Sequence, residues 1–330
     1  MASDASSARE RTPFFMTRGV VIQPVDIRTW NWPEKAKAAG LSTIATHPHP
    51  KNVLEFVKTD EWRAFFEACG RAGIAVEHEL HAMSDLLPRD LFEKDPSMFP
   101  MNAKGERIAD YNLCVHSKSA VDAVCENLVA LVEALPPTTG RHFYWIDDGK
   151  PMCRCRKCRG LSDSDQALLL ENHMVRAIRR ARPRDTLAHL SYHNTLSPPK
   201  QVKPEPGVFL EWAPISRRFD ASIGQREARK GHHGQLLDSL TANLEVFGRQ
   251  GAQVLEYWLD ESLFYRANRR RPIKIPWNRR VFLDDLDVYG KLGVRHVTTF
   301  AVYVNGDYVK RFGEPPLNEY GQGLLDWSPS

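Results

Sequence analysis

Apolar residues recur along the chain in two alternating patterns. Short runs rich in aliphatic, β-branched and aromatic residues lie at 19–25, 41–45, 74–80, 141–148, 186–193, 208–212, 253–259 and 294–304. Each has the length of one strand. Between most of them the apolar positions move to helical spacing. The clearest case is 117–135, where Val121, Val124, Leu128, Val132 and Leu135 share a face and Pro136 and Pro137 stop the helix. Similar spacing predicts helices over 33–39, 52–69, 163–181, 234–247 and 278–292. The link at 198–207, PPKQVKPEPG, is too rich in proline for one. Strands that alternate with helices pair in parallel. Eight such units in 330 residues predict an α/β fold of the (β/α)8 TIM-barrel type. An open doubly wound sheet fits less well, because no glycine-rich nucleotide turn follows the first strand. Residues 1–15 are polar and expected to be disordered, leaving 16–330 as a single barrel domain. One stretch breaks the rhythm. Residues 84–112 form a long excursion of the kind that serves as a lid or binding loop.

Barrels of this kind carry their chemistry at the C-terminal ends of the strands. Those ends hold carboxylates, imidazoles and flat rings. The fourth run delivers Asp147 and Asp148 ahead of the flexible Gly149. Later runs end near Glu211 and Glu256. These four carboxylates are the candidate catalytic groups. Around them the pattern offers Asp26, Trp30, His78, His81, Trp145, Tyr192, His193, Trp212, Tyr257, Trp258 and Asp260 as binding residues. Five of the eight tryptophans (Trp30, Trp32, Trp145, Trp212 and Trp258) follow or end a strand. Flat aromatic faces suit the C–H face of a sugar, and fixed polar groups suit its hydroxyls. A carboxylate pair can then cleave a glycosidic bond, one acid protonating the leaving oxygen and the other acting on the anomeric side. Two other readings compete. Asp-Asp-Gly is also ordinary turn chemistry, and such a barrel could be a catalytically silent sugar binder. Alternatively, His47, His49, His78 and His81, completed by His193 and Asp260, could gather a catalytic metal.

Composition narrows the partners. A formal charge of +4 is too small for this length to predict a nucleic-acid partner. No run approaches the ~20 apolar residues of a membrane span. The N-terminus lacks an apolar segment of signal-peptide length, which predicts a cytoplasmic or already processed chain. Of six cysteines, Cys153, Cys155 and Cys158 are clustered. Arg154, Arg156 and Lys157 lie among them and favour thiolates. A structural zinc would need a fourth ligand, from Cys114 or a histidine. A disulfide or a metal-free loop staple are the alternatives. No cofactor is expected for catalysis.

The run YWIDDGKPMCRCRKC at 144–158 resembles the strand-four signature of a bacterial family, domain of unknown function 4838, whose members carry one or two acids followed by Cys-x-Cys-x-x-Cys. The stretch DPSMFPMNAKGERIADYNLCVHS at 95–117 is similar to the same family. The resemblance implies a glycoside hydrolase-like TIM barrel near the α-glucuronidases and hexosaminidases, some relatives being endo-β-N-acetylglucosaminidases. The implied substrate is an N-acetylhexosaminide or a uronide. Carried over residue by residue, the resemblance implies that Asp147 orients a substrate acetamide and that Asp148 is the general acid. The chain is expected to lack the extra N-terminal domain and C-terminal modules of many relatives, and no export signal is expected; both expectations argue against a polymeric extracellular glycan.

Overall fold

The computed structural model describes residues 12–47 and 49–329. Eight parallel strands close into a barrel in sequence order: β1 Thr17–Ile22, β2 Thr43–Thr46, β3 Ala75–His81, β4 Arg141–Trp145, β5 Thr186–Ser191, β6 Val208–Trp212, β7 Gln253–Glu256 and β8 His296–Phe300. Successive side chains on a strand face opposite sides, and here that alternation sorts two cores. Val21, Ala45, Phe143, Trp145, Ala188, Leu190, Phe209, Leu255 and Phe300 fill the barrel interior. Val20, Ile22, Ile44, Val76, Leu210, Trp212, Val254 and Val297 pack outward against the helices.

The helical layer departs from the expected one where local chemistry overrides spacing. The single helix expected over 52–69 is two, Pro50–Phe56 and Asp60–Ala72. Thr59 divides them: its hydroxyl accepts the Trp62 amide at 3.2 Å, the geometry of a helix N-cap. The excursion after β3 is partly ordered into short turns, Met83–Leu86, Leu91–Lys94 and Pro96–Met98, and buries Met98, Phe99 and Leu113. Helices Glu261–Ala267, Gly306–Phe312 and Leu317–Asp326 were not evident from spacing. The last of these lies so close to the helix Trp32–Ala38 that a Cβ on Gly321 would overlap the Ala39 carbonyl oxygen. Its Tyr320 hydroxyl donates to the Gly19 carbonyl at 2.7 Å. Of the N-terminal stretch expected to be disordered, residues 1–11 lie outside the described residues. Phe14 and Phe15 do not fit that expectation: both pack on Trp327, at 4.5 and 5.3 Å between ring centroids, and Phe15 is fully buried. No helix among the described residues is long and apolar enough to cross a membrane.

Candidate active site

The C-terminal mouth of the barrel opens into a cavity of about 270 Å³. Every strand contributes to it at or just beyond its end: Gln23 after β1, His47 and His49 after β2, His81 from β3, Trp145 and Asp148 from β4, and Leu190 and Tyr192 from β5. Ala213 and Ile215 follow β6, Leu255, Tyr257, Asp260, Ser262 and Arg266 belong to β7 and its loop, and Phe300 and Val302 to β8.

Trp145 forms much of the floor. Its indole Nε1–H donates to Glu211 at 2.8 Å, one layer deeper in the barrel. Glu211 also accepts from Gln253 at 2.9 Å. Burial pushes its carboxyl up to about 8, although Trp145, Arg141 and Gln253 pull it back. Two imidazoles stand on the wall. His47 Nδ1 lies 2.8 Å from the Glu79 carbonyl and His81 Nδ1 2.7 Å from the Ile146 carbonyl. A carbonyl only accepts, so Nδ1 carries the proton in both rings and Nε2 is a bare acceptor. Burial, with the neighbouring His81 next, lowers His47 to about 3; burial lowers His81 too. Both rings are therefore neutral.

Two carboxylates line the cavity in unlike surroundings. The Asp148 side chain is 64% exposed at the rim, 3.9 Å from His81 Nε2, and its charge acts on the Tyr192 hydroxyl. It is presented by a sharp turn in which Gly149 takes a φ of 60°, a value that favours glycine. Asp260 is only 6% exposed. Its Oδ1 accepts from Ser262 Oγ at 2.6 Å and from the Leu263 amide at 3.3 Å, capping the helix Glu261–Ala267. Burial raises Asp260 to about 6 against the pull of those hydrogen bonds. Tyr192 and Tyr257 lie within the field of both acids. Burial and then these neighbours push both hydroxyls well up.

The family model described as Domain of unknown function (DUF4838) matches residues 8–247 of the chain. The chain belongs to the DUF4838 family. The match takes in β1 to β6 and ends with the helix His232–Phe247. No curated protein sequence matches the chain. Solved structures are similar in fold. A GH5-4 broad specificity endoglucanase from an uncultured bacterium is 12% identical, with 95% of each chain covered and a TM-score of 0.52. ZgEngAGH5_4, solved with a cellotriose, is 10% identical, covering 96% of this chain and 99% of that one, with a TM-score of 0.52. PbGH5A, a glycoside hydrolase family 5 enzyme from Prevotella bryantii B14 solved with a xyloglucan tetradecasaccharide, is 9% identical over 96% of this chain and 99% of that one, with a TM-score of 0.51. At such identities the likeness is one of fold.

In the DUF4838 barrel several residues expected at the mouth lie elsewhere, and strand alternation is the main reason. Leu255 faces the cavity, so its neighbour Glu256 turns outward. There it meets Arg217 Nη1 and the Tyr289 hydroxyl, each at 2.5 Å. Trp212 likewise turns outward and donates to Ser239 Oγ at 3.0 Å. His78 turns outward to Thr46 Oγ1 at 2.7 Å and to the Trp62 ring. Trp258 donates to Asp285 at 3.0 Å behind the barrel wall. Glu211 does face inward, but it lies beneath Trp145 and does not line the cavity. Asp147, expected to orient a substrate, points into the excursion, where it accepts from Arg89 at 2.8 Å and from the Asn112 amide at 2.5 Å. Asp26 is fully buried behind Gln23 and ties β1 to β8 by accepting from the Tyr303 amide and the Asn305 side chain; burial raises it to about 6. Trp30 packs on Trp32, and His193 is exposed against Tyr192 outside the cavity.

Of the residues first singled out, Asp148, Asp260, His81, Trp145, Tyr192 and Tyr257 do share the cavity. Arg266 and Ser262 join them without having been expected. The helix start Asp260-Glu261-Ser262 carried the signal, since Asp before a short helical run is an N-cap pattern. The histidine-centred metal site does not assemble. Among the described residues, the only group of three or more His, Cys, Asp or Glu side chains with converging ligand atoms is Cys114, Cys153, Cys155 and Cys158. All six cysteines are free, so the expected alternative of a disulfide fails.

Proposed function

We propose that this DUF4838 barrel is a glycoside hydrolase whose acid and base are Asp260 and Asp148. The observation that carries the reading is the pairing of a buried and an exposed carboxylate in one aromatic cavity. Unlike surroundings are what separate the two roles at a single pH. Asp260 keeps its proton to about pH 6 and can give it to the glycosidic oxygen as the C–O bond breaks. Asp148, open to solvent beside Tyr192, takes the proton of the water that adds to the anomeric carbon. Trp145, Tyr257 and Phe300 offer flat faces to the ring. The bare Nε2 atoms of His47 and His81 accept from its hydroxyls. Support comes from the cavity wall, not from likeness of fold.

Of the two sugar classes considered, the geometry favours a uronide. Asp147, the group that would orient an acetamide, is turned away, whereas Arg266 supplies a cation at the wall. A guanidinium matches a sugar carboxylate in shape and charge. Aryl glucuronides should therefore be turned over faster than aryl glucosides or aryl N-acetylglucosaminides. Arg266→Met should raise KM for the glucuronide ~10-fold or more while kcat changes little, the pattern for an interaction equal in ground and transition states. An unchanged KM would sink the uronide assignment. Sugar binding with no turnover of any glycoside would leave the barrel a silent binder.

A further inference from the structure

We propose that Cys114, Cys153, Cys155 and Cys158 hold one zinc ion, and that this ion staples the excursion after β3 to the turn that carries Asp148. The four Sγ atoms lie within 4.8 Å of one another. Cys114 is 3.8 Å from both Cys155 and Cys158. Zinc–thiolate bonds of ~2.3 Å in a tetrahedron put the sulfurs about 3.8 Å apart, whereas a disulfide needs about 2.05 Å. All four side chains are buried. Four ligands leave no open position, which is the mark of a structural site rather than a catalytic one. Soft tetrahedral sulfur also excludes calcium and magnesium.

The surroundings suit thiolates. The amides of Met101 and Cys155 point at Cys153 Sγ, at 3.3 and 3.4 Å. His116 Nδ1 lies 3.2 Å from Cys158 Sγ, and Arg107 Nη1 3.7 Å from Cys153 Sγ. Such donors outside the ligand shell orient the sulfurs and offset the two excess negative charges of a zinc tetrathiolate.

Connectivity gives the ion its role. Cys114 follows Asn112 by two residues, and Asn112 clamps the acidic turn. Asn112 Oδ1 accepts the Asp147 amide at 2.9 Å, and its Nδ2 donates to the carbonyls of Lys150 and Pro151, each at 3.1 Å. Arg89 bridges the Asn112 carbonyl and Asp147, at 2.8 Å to each. Cys153 holds the far side of the same turn. The excursion reaches this turn through polar contacts, and the ion fixes their register. This staple does not depend on the hydrolase reading. Only its effect on turnover does.

Protein purified without a metal-affinity tag should contain close to one zinc per chain by mass spectrometry. Cys155→Ser should lose most of that zinc, while Cys125→Ser, outside the cluster, should keep it. Stripping wild-type protein with a mercurial gives the zinc-free state even if Cys155→Ser does not fold. In the stripped protein, hydrogen exchange at Asn112, Asp147 and Lys150 should quicken ~10-fold or more while β1 and β8 keep their protection. Iron in place of zinc, no metal, or full zinc in Cys155→Ser would overturn the site. Zinc loss without faster exchange at those amides would overturn the staple.

Discussion

Asp260→Asn should lower kcat ~100-fold or more on a glycoside with a poor leaving group, the usual scale for losing a general acid. On an activated aryl leaving group, which needs no proton, the loss should be far smaller. The fold should survive. Asn is as good an N-cap as Asp, and its Oδ1 can still accept from Ser262 and Leu263. The linkage runs the same way. Asp260 is raised to about 6 in the folded protein, so its contribution to stability is present at low pH and lost as pH rises through 6. Removing the titrating group should leave the variant at least as stable at neutral pH. The same value sets the rate profile: kcat/KM of the native enzyme should fall as pH rises through about 6, and this limb should vanish in Asp260→Asn. Asp148→Asn should reduce both substrates alike, since its role is on the anomeric side whatever leaves. If Asp148→Asn is the variant that spares the activated substrate, the resemblance assigned the acid correctly and the roles exchange.

The barrel was legible because each strand announces itself by its own residues. All eight runs become strands, in the expected order. The C-terminal ends of the runs are less legible. The stretches expected over 253–259 and 294–304 stop pairing at Glu256 and Phe300. Tyr257 and Val302 beyond them stay apolar because they line the cavity, not because they belong to the ladder. Alternation also splits each strand end between two faces. It puts Leu255 and Glu256, like Glu211 and Trp212, on opposite faces, but which of each pair faces inward depends on the register with neighbouring strands. Other features were not available locally. That Asp147 meets Asn112, 35 residues earlier in the chain, depends on how the excursion docks. Nor does spacing say whether Cys114 or a histidine joins the three clustered cysteines: the fold brings Cys114 Sγ among theirs.

Glu256→Ala should cost on the order of 2–4 kcal/mol of stability, from two buried donors left without an acceptor, and little turnover. Glu256 reads as catalytic from its place at the end of β7, yet its carboxylate is fully buried between barrel and helices. Burial pulls Arg217 down, but Glu256 and Asp285 outweigh it and hold the guanidinium charged. Arg217 Nη2 reaches Asp285 at 2.7 Å, and Tyr289 donates to Glu256 at 2.5 Å. Asp285 in turn accepts from Trp258 and the Ile223 amide. Removing Glu256 leaves the Arg217–Asp285 pair in place but strips Arg217 Nη1 and the buried Tyr289 hydroxyl of their shared acceptor, both costly where water does not reach. Tyr289→Phe removes only the donor, and should cost much less. Denaturant melts should show a lower midpoint for Glu256→Ala at an unchanged slope. Assays run well below the variant's melting temperature should find kcat within a few-fold of native, because Leu255 and Tyr257 line the cavity and Glu256 does not. Native stability combined with a ~100-fold loss of kcat would return Glu256 to the reaction and remove Asp260 from it.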